Sequence, residues 1–144
     1  MTCSRRDLTF LIPLLAATRA GGQEKKPQVL STTRVYHDQQ IPWEGNDEKK
    51  GRELFLGNTH QGFAVEMHET ILGPEVRTHA PHKHPQEEII ILMEGTLEAD
   101  FSGRLEKVEP GSAIWLASNQ MHSVRNTGTT PCRYFVIELR GMPA

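Results

Sequence analysis

From Gly51 to Leu139, apolar and polar residues alternate in short runs closed by Gly, Pro, Asn or Ser at intervals of about 8 to 12 residues. That spacing predicts an all-β sandwich or barrel of mostly antiparallel strands. The predicted strands are residues 52–56, 63–72, 96–101, 104–108, 113–117, 122–126 and 132–139, together with the apolar run Ile89-Ile90-Ile91-Leu92-Met93. Ser102-Gly103 closes a hairpin, and Glu109-Pro110-Gly111 makes a turn. Residues 51–144 show no long helical period, internal repeat or low-complexity tract. One compact barrel over residues 51–141 is the expectation.

The alternation also assigns faces. In residues 63–72, Phe63, Val65, Met67 and Ile71 share one side, and Ala64, Glu66, His68 and Thr70 the other. With the apolar side inward, His68 is expected at the surface. The run 89–93 is apolar on both sides and needs cover on both. A second copy of the barrel, or an arm at residues 28–36, is expected to supply the outer cover, which makes a homodimer the expected assembly. Residues 28–36 read as an edge strand, and 37–50 as a loop with Trp43 as packing anchor.

The first 20 residues break the pattern. Arg5 and Arg6 precede an apolar stretch from Leu8 to Ala17, and Thr18-Arg19-Ala20 follows with small residues first and third. This reads as an export signal, and Ser4-Arg5-Arg6-Asp7-Leu8 resembles a twin-arginine signal. The apolar stretch is too short to span a bilayer, so no stable membrane anchor is expected. Residues 21–50 are then linker and N-terminal arm, and the mature protein is expected to be periplasmic or extracellular.

Composition narrows the classes. The chain has 144 residues, 37 % hydrophobic and 24 % charged, with a formal net charge of -2. Without Arg5, Arg6, Arg19 and Asp7, the 16 basic and 18 acidic side chains become 13 and 17, net -4. An acidic body without a basic stripe argues against nucleic-acid binding. Of the two cysteines, only Cys132 lies beyond the leader, so no intramolecular disulfide is available, and Cys132 reads as a small buried hydrophobe.

The chemistry gathers between Arg77 and Gly95. On a strand, His82, His84 and Glu88 share parity and converge on one point. Two imidazoles and a carboxylate suit Mn, Fe, Co, Ni, Cu or Zn. With 7 histidines in 144 residues, His-x-His-x-x-x-Glu arises by chance roughly 0.03 times in such a chain. His37, His60, His68, His79 and His122 are candidates for a fourth ligand. His79 sits across Ala80-Pro81, where parity fails, and reads either as a proton-transfer group at the pocket mouth or as an exposed loop residue.

Gly73 to Gly95 resembles the first motif of the cupin superfamily, with His82, His84, Glu88 and Gly95 in the motif positions. Gly111, His122 and Asn126 resemble the second motif, although Ala117 and Asn119 replace its Pro and Gly. The 15 residues between the motifs match small single-domain bacterial cupins. The resemblance implies a conical barrel, the double-stranded β-helix or jelly roll, holding one divalent transition metal on His82, His84, Glu88 and His122. It implies two open coordination positions, and a metalloenzyme acting on a small organic molecule, either a dioxygenase or a Lewis-acid isomerase, lyase or decarboxylase. A non-catalytic metal- or ligand-binding module is the alternative. Gln86 and Asn126 are placed to orient the imidazoles, and Phe63, Val65, Met67, Trp115 and Tyr134 to contact a ligand.

Overall fold

The structure, a computed structural model, describes residues 28–141, so the predicted export signal lies outside the described residues. Its elements are β1 (Gln28–Val29), a 3-10 turn (Asp38–Gln40), β2 (Glu44–Gly45), β3 (Lys49–Asn58), β4 (Ala64–Leu72), β5 (Glu87–Glu94), β6 (Leu97–Phe101), β7 (Arg104–Val108), β8 (Ala113–Leu116), β9 (His122–Asn126) and β10 (Cys132–Leu139). The large sheet runs β1-β3-β4-β10-β5-β8 with β2 on β3, and the small one β7-β6-β9. All strand pairs are antiparallel except β1 with β3. The β5 and β10 strands fall where apolar alternation put them. Of the expected strand at 28–36, only Gln28–Val29 pairs, because the exposed residues 31–35 bury too little to hold a longer one.

Register places the interior in tiers across β4, β10 and β5. Glu66, Glu138 and Glu88 form the outermost tier, and His68, Val136 and Ile90 the next. Thr70, Tyr134 and Leu92 follow, with Leu72 beside Cys132 at the base. Polarity therefore falls from mouth to base. Leu72, Leu92 and Leu97 are fully buried, each contributing about 1.5–3 kcal/mol. Cys132 lies among them, its thiol pushed up to about 11 by burial.

This register corrects the face assignment of residues 63–72. The side bearing Glu66, His68 and Thr70 faces the interior, and that bearing Val65, Met67 and Ile71 faces outward. Apolarity misled because the outer face of the sheet is itself partly covered. Residues 36–43 perform that covering over β3: Tyr36 packs on Phe55 with ring centroids 5.1 Å apart, and Arg52 lies 4.3 Å from the Trp43 ring centroid. Beneath them the fully buried Glu69 accepts a hydrogen bond from Arg52 Nε at 2.6 Å and another from Arg133, while Arg52 also donates to the Asp38 carbonyl at 2.8 Å. Farther along the sheet, Met93 and Trp115 remain exposed.

Gly95 closes β5 at φ +84°, where a Cβ would meet Cys132 Cα at 2.7 Å. Only glycine fits this turn.

Candidate metal centre

The loop ahead of β5 is stitched to β9 by the main chain. The His82 amide donates to the His122 carbonyl at 3.0 Å, and the His122 amide returns the bond at 2.8 Å. Farther along the same seam, the Thr78 amide donates to the Val124 carbonyl. Residues 77–82 thus run beside β9, and two ligand candidates far apart in sequence become direct neighbours. The turn before His122 keeps its shape despite its departure from the motif. Asn119 adopts φ +57°, which asparagine tolerates, and its amide donates to the His84 carbonyl at 2.7 Å.

Each imidazole is anchored in the same way. His82 Nδ1 contacts the Ala80 carbonyl at 3.2 Å, His84 Nδ1 the Gln86 carbonyl at 3.0 Å, and His122 Nδ1 the Gln120 carbonyl at 2.8 Å. A carbonyl only accepts, so all three Nδ1 atoms carry the proton and all three Nε2 atoms present a lone pair. The rings offer nitrogens within 4.8 Å of one another. The Nε2 atoms of His84 and His122 are buried without a hydrogen-bond partner. Glu88 brings its carboxylate to 3.2 Å from His84 Nε2 and 3.9 Å from His122 Nε2.

Orphaned buried nitrogens beside a carboxylate are costly unless a cation joins them. Ligand atoms bound at 2.0–2.2 Å to one ion lie roughly 3 to 3.5 Å apart, close to the separations seen. The three imidazoles therefore fit one divalent ion, with the Glu88 carboxylate beside two of them. Of the two expected orienting residues, Gln86 acts through its carbonyl and not its side chain. Asn126 does not touch the imidazoles. Its buried amide donates to the carbonyls of Leu72, Gly73 and Thr130, which fastens the base of the barrel.

The centre opens into a cavity of about 690 Å³. It is further lined by Lys49, Glu66, His68, Thr70, Thr78, Tyr134 and Glu138. His68 is therefore a cavity residue and not a surface one. Of the expected ligand contacts only Tyr134 lines the cavity; Val65 and Met67 face outward, and Phe63 and Trp115 are exposed. Sequence reading also missed Lys49, Glu66 and Glu138. The alternation of Glu66, His68 and Thr70 was the available signal, hidden by the more apolar opposite side.

His79 sits at the rim, its ring edge-on to His82 at 5.0 Å between centroids. Lys49 Nζ donates to its Nε2 at 3.1 Å. Burial, then the Lys49 charge, lowers the His79 pKa to about 4, so the ring is neutral at pH 7 with its lone pair already engaged. Lys49 is itself lowered by burial. In the same cavity, His68 Nδ1 lies 3.2 Å from Glu66 Oε1, and Arg140 binds both Glu66 and Glu138, the latter at 2.9 Å. The hydrogen bond from His68 holds the Glu66 carboxyl below its usual range, whereas burial raises that of Glu138. Thr78 Oγ1 and the Tyr134 hydroxyl are 3.0 Å apart, and burial pushes Tyr134 up to about 12.

Comparison with known proteins agrees with this fold. Residues 68–138 match the family model described as a cupin domain. No curated protein matches the chain. An RmlC-like cupin from Shewanella frigidimarina is similar in structure, at 11 % identity and TM-score 0.64, over 76 % of this chain and 93 % of that one. The polyketide cyclase RemF from Streptomyces resistomycificus gives 25 % identity and TM-score 0.60, over 78 % of this chain and 82 % of that one. A predicted oxalate decarboxylase from Thermotoga maritima gives 18 % identity and TM-score 0.60, over 74 % and 99 %.

Proposed function

We propose, from the match of residues 68–138 to a cupin domain model and the likeness of fold to a solved cupin, that the chain is a metalloenzyme of the cupin superfamily acting on a small organic molecule. His82, His84, His122 and Glu88 hold one divalent ion among Mn, Fe, Co, Ni, Cu and Zn. A bound ion of this kind supplies Lewis-acid polarisation of an oxygen, with open positions for the ligand. The observation that carries the reading is the pair of buried, partnerless Nε2 atoms on imidazoles whose tautomers the main chain fixes. The chain's own residues do the rest. Lys49 and His79 present donors at the rim, Ile90, Val124 and Val136 keep part of the cavity apolar, and Glu66, His68 and Glu138 can carry protons. This acid–base furnishing favours isomerase, lyase, decarboxylase or cyclase chemistry over oxygenation. The 25 % identity to a polyketide cyclase supports the same side of that choice.

The deciding experiment is metal analysis of the purified mature protein by mass spectrometry. It is followed by oxygen-uptake and turnover assays with flavonols, diketones, thiols and oxalate. One metal per chain, lost in His122→Ala, with turnover of a panel member that consumes no oxygen, is the expected result. Metal without any turnover would make the protein a sequestering module. No metal in the wild-type protein, with His82→Ala and His122→Ala equally stable, would reject the reading altogether.

Two further features of this proposal concern the whole protein. The outward-facing Ile89, Ile91, Met93 and Trp115 support a homodimer, so light scattering should give twice the chain mass, and a monomer rejects it. The arginine-led leader supports export, so a full-length tagged protein should fractionate with the periplasm or medium and not with the cytoplasm.

A further inference from the structure

Four histidines lie outside the ligand set, His37, His60, His68 and His79, and of these His68 and His79 line the cavity. His60 is exposed in the turn between β3 and β4 and does not line the cavity. The His79 Nε2 accepts a hydrogen bond from Lys49, which occupies the lone pair a base would use. His68 differs from both. Its Nδ1 faces the Glu66 carboxylate, which only accepts, so Nδ1 carries the proton and Nε2 bears the lone pair on a ring that lines the cavity. Glu66 is in turn held by Arg140, which also binds Glu138, so the carboxylate has a fixed direction.

The tiers of the barrel set the reach. Glu66, Glu138 and Glu88 lie in register on three neighbouring strands. Strands about 4.8 Å apart put the Glu66 and Glu88 backbones about 10 Å from each other. Their side chains project from the same face of the sheet into the cavity with Glu138 between them, and His68 stands one tier deeper beside Glu66. A molecule of a few carbon atoms seated at the His82, His84, His122 and Glu88 cluster and extending across β10 therefore reaches His68.

We propose that His68, oriented by Glu66, is the base of this cavity, and that the ligand is a small carbonyl compound with a C–H bond beside its carbonyl group. The inference rests on the metal-centre reading above. In the step, the ligand's C–H bond breaks, an N–H bond forms at His68 Nε2, and the electron pair passes into the adjacent carbonyl. The imidazolium so formed is matched by the Glu66 carboxylate, its Nε2 proton exchanges with water, and a proton from Nε2 returns to the carbon, so nothing else is consumed. The groups facing His68 are Glu66 on its own strand, Glu53 opposite it on β3, Val136 and Glu138 on β10, Arg140 beyond, and His79 with Lys49 at the rim.

The test uses the zinc-loaded mature protein in D2O, with pyruvate and dihydroxyacetone as probes and deuterium incorporation followed by proton NMR. Wild type is expected to exchange the protons beside the carbonyl, and His68→Gln to lose about 100-fold or more while keeping one zinc per chain. Glu66→Gln is expected to lower the rate and to release the tautomer of His68; a purely structural Glu66 would lower the rate without changing the tautomer. Independently of turnover, long-range proton–nitrogen spectra of the zinc-free protein should show His68 protonated at Nδ1 and should lose that preference in Glu66→Gln. Exchange by His68→Gln at the wild-type rate, no exchange of either probe by zinc-loaded wild type, or a His68 protonated at Nε2 would overturn the proposal. Should His68→Gln fail to fold, the Glu66→Gln rate and the tautomer decide. Failure of the metal-centre reading is separately visible as a wild-type protein that takes up no zinc.

Discussion

Two groups line one cavity, three histidines beside Glu88 and a histidine with two carboxylates, and both have the composition of a metal site. In the first, His82, His84, His122 and Glu88, the ring orientations are set by the main chain and two nitrogens are left buried without partners. In the second, Glu66, His68 and Glu138, the carboxylates already have a cation in Arg140 and the histidine already has a carboxylate. The difference separates a site whose lone pairs suit an ion from a site that has settled its charge internally. Residue type is shared; unsatisfied valence is not. The first cluster can stabilise the fold by binding a metal, and the second can only exchange protons while Arg140 stays in place.

The comparison can be broken most forcefully at the first cluster. His122→Ala should abolish metal uptake and, with zinc at 100 times its dissociation constant, remove about 2.7 kcal/mol of zinc-dependent stabilisation, read as the lost response of thermal unfolding to zinc. Removing Arg140 tests the converse. Arg140→Ala frees Glu66 and Glu138, so titration calorimetry should show a second zinc per chain, bound at least about 100-fold more weakly than the first; an unchanged stoichiometry would mean that internal charge does not distinguish the clusters.

Proton linkage sharpens it further. Glu66 is held below its ordinary carboxyl value by His68 and Arg140, so its contribution is full above about pH 4.5 and is lost as pH falls through the lowered value. Zinc-free wild type should therefore lose stability on acidification more steeply than Glu66→Gln, by less than about 1 kcal/mol because the group is partly exposed. The smallest effect belongs to the turn before His122. Asn119→Gly should change stability by under about 0.5 kcal/mol and leave zinc affinity intact, whereas Asn119→Ala should cost about 1 kcal/mol at the same φ of +57°.

Legibility in the sequence follows the same divide. The strands from β4 to β10 were readable because period-two alternation and Gly, Pro or Asn turns coincide there. His82, His84 and Glu88 were readable because their spacing is local, and the motif resemblance supplied His122, which the structure places directly across from His82. The second cluster was not readable, since Glu138 meets Glu66 only through the pairing of β10 with β4. Parity told which residues share a side but not which side is inward, and hydrophobicity chose wrongly. Val65, Met67 and Ile71 belong to an outer face that residues 36–43 cover only in part, while Glu66, His68 and Thr70 line a cavity that is polar near its mouth. A chain that wraps one face of its sheet makes the apolar side an unreliable guide to the interior.

The carbonyl anchors of the three imidazoles have a consequence for how such a protein can change. Every amino acid, proline included, keeps its carbonyl oxygen, so the side chains at positions 80, 86 and 120 can be exchanged without removing the acceptors that point His82, His84 and His122 at their common centre. Much of the remaining cavity lining is built from interchangeable side chains on regular strands, among them Lys49, Glu66, His68 and Glu138. Ion capture and ligand choice are thereby heritable as separate modules, and a library varying only that lining can search for new chemistry over a constant metal pocket.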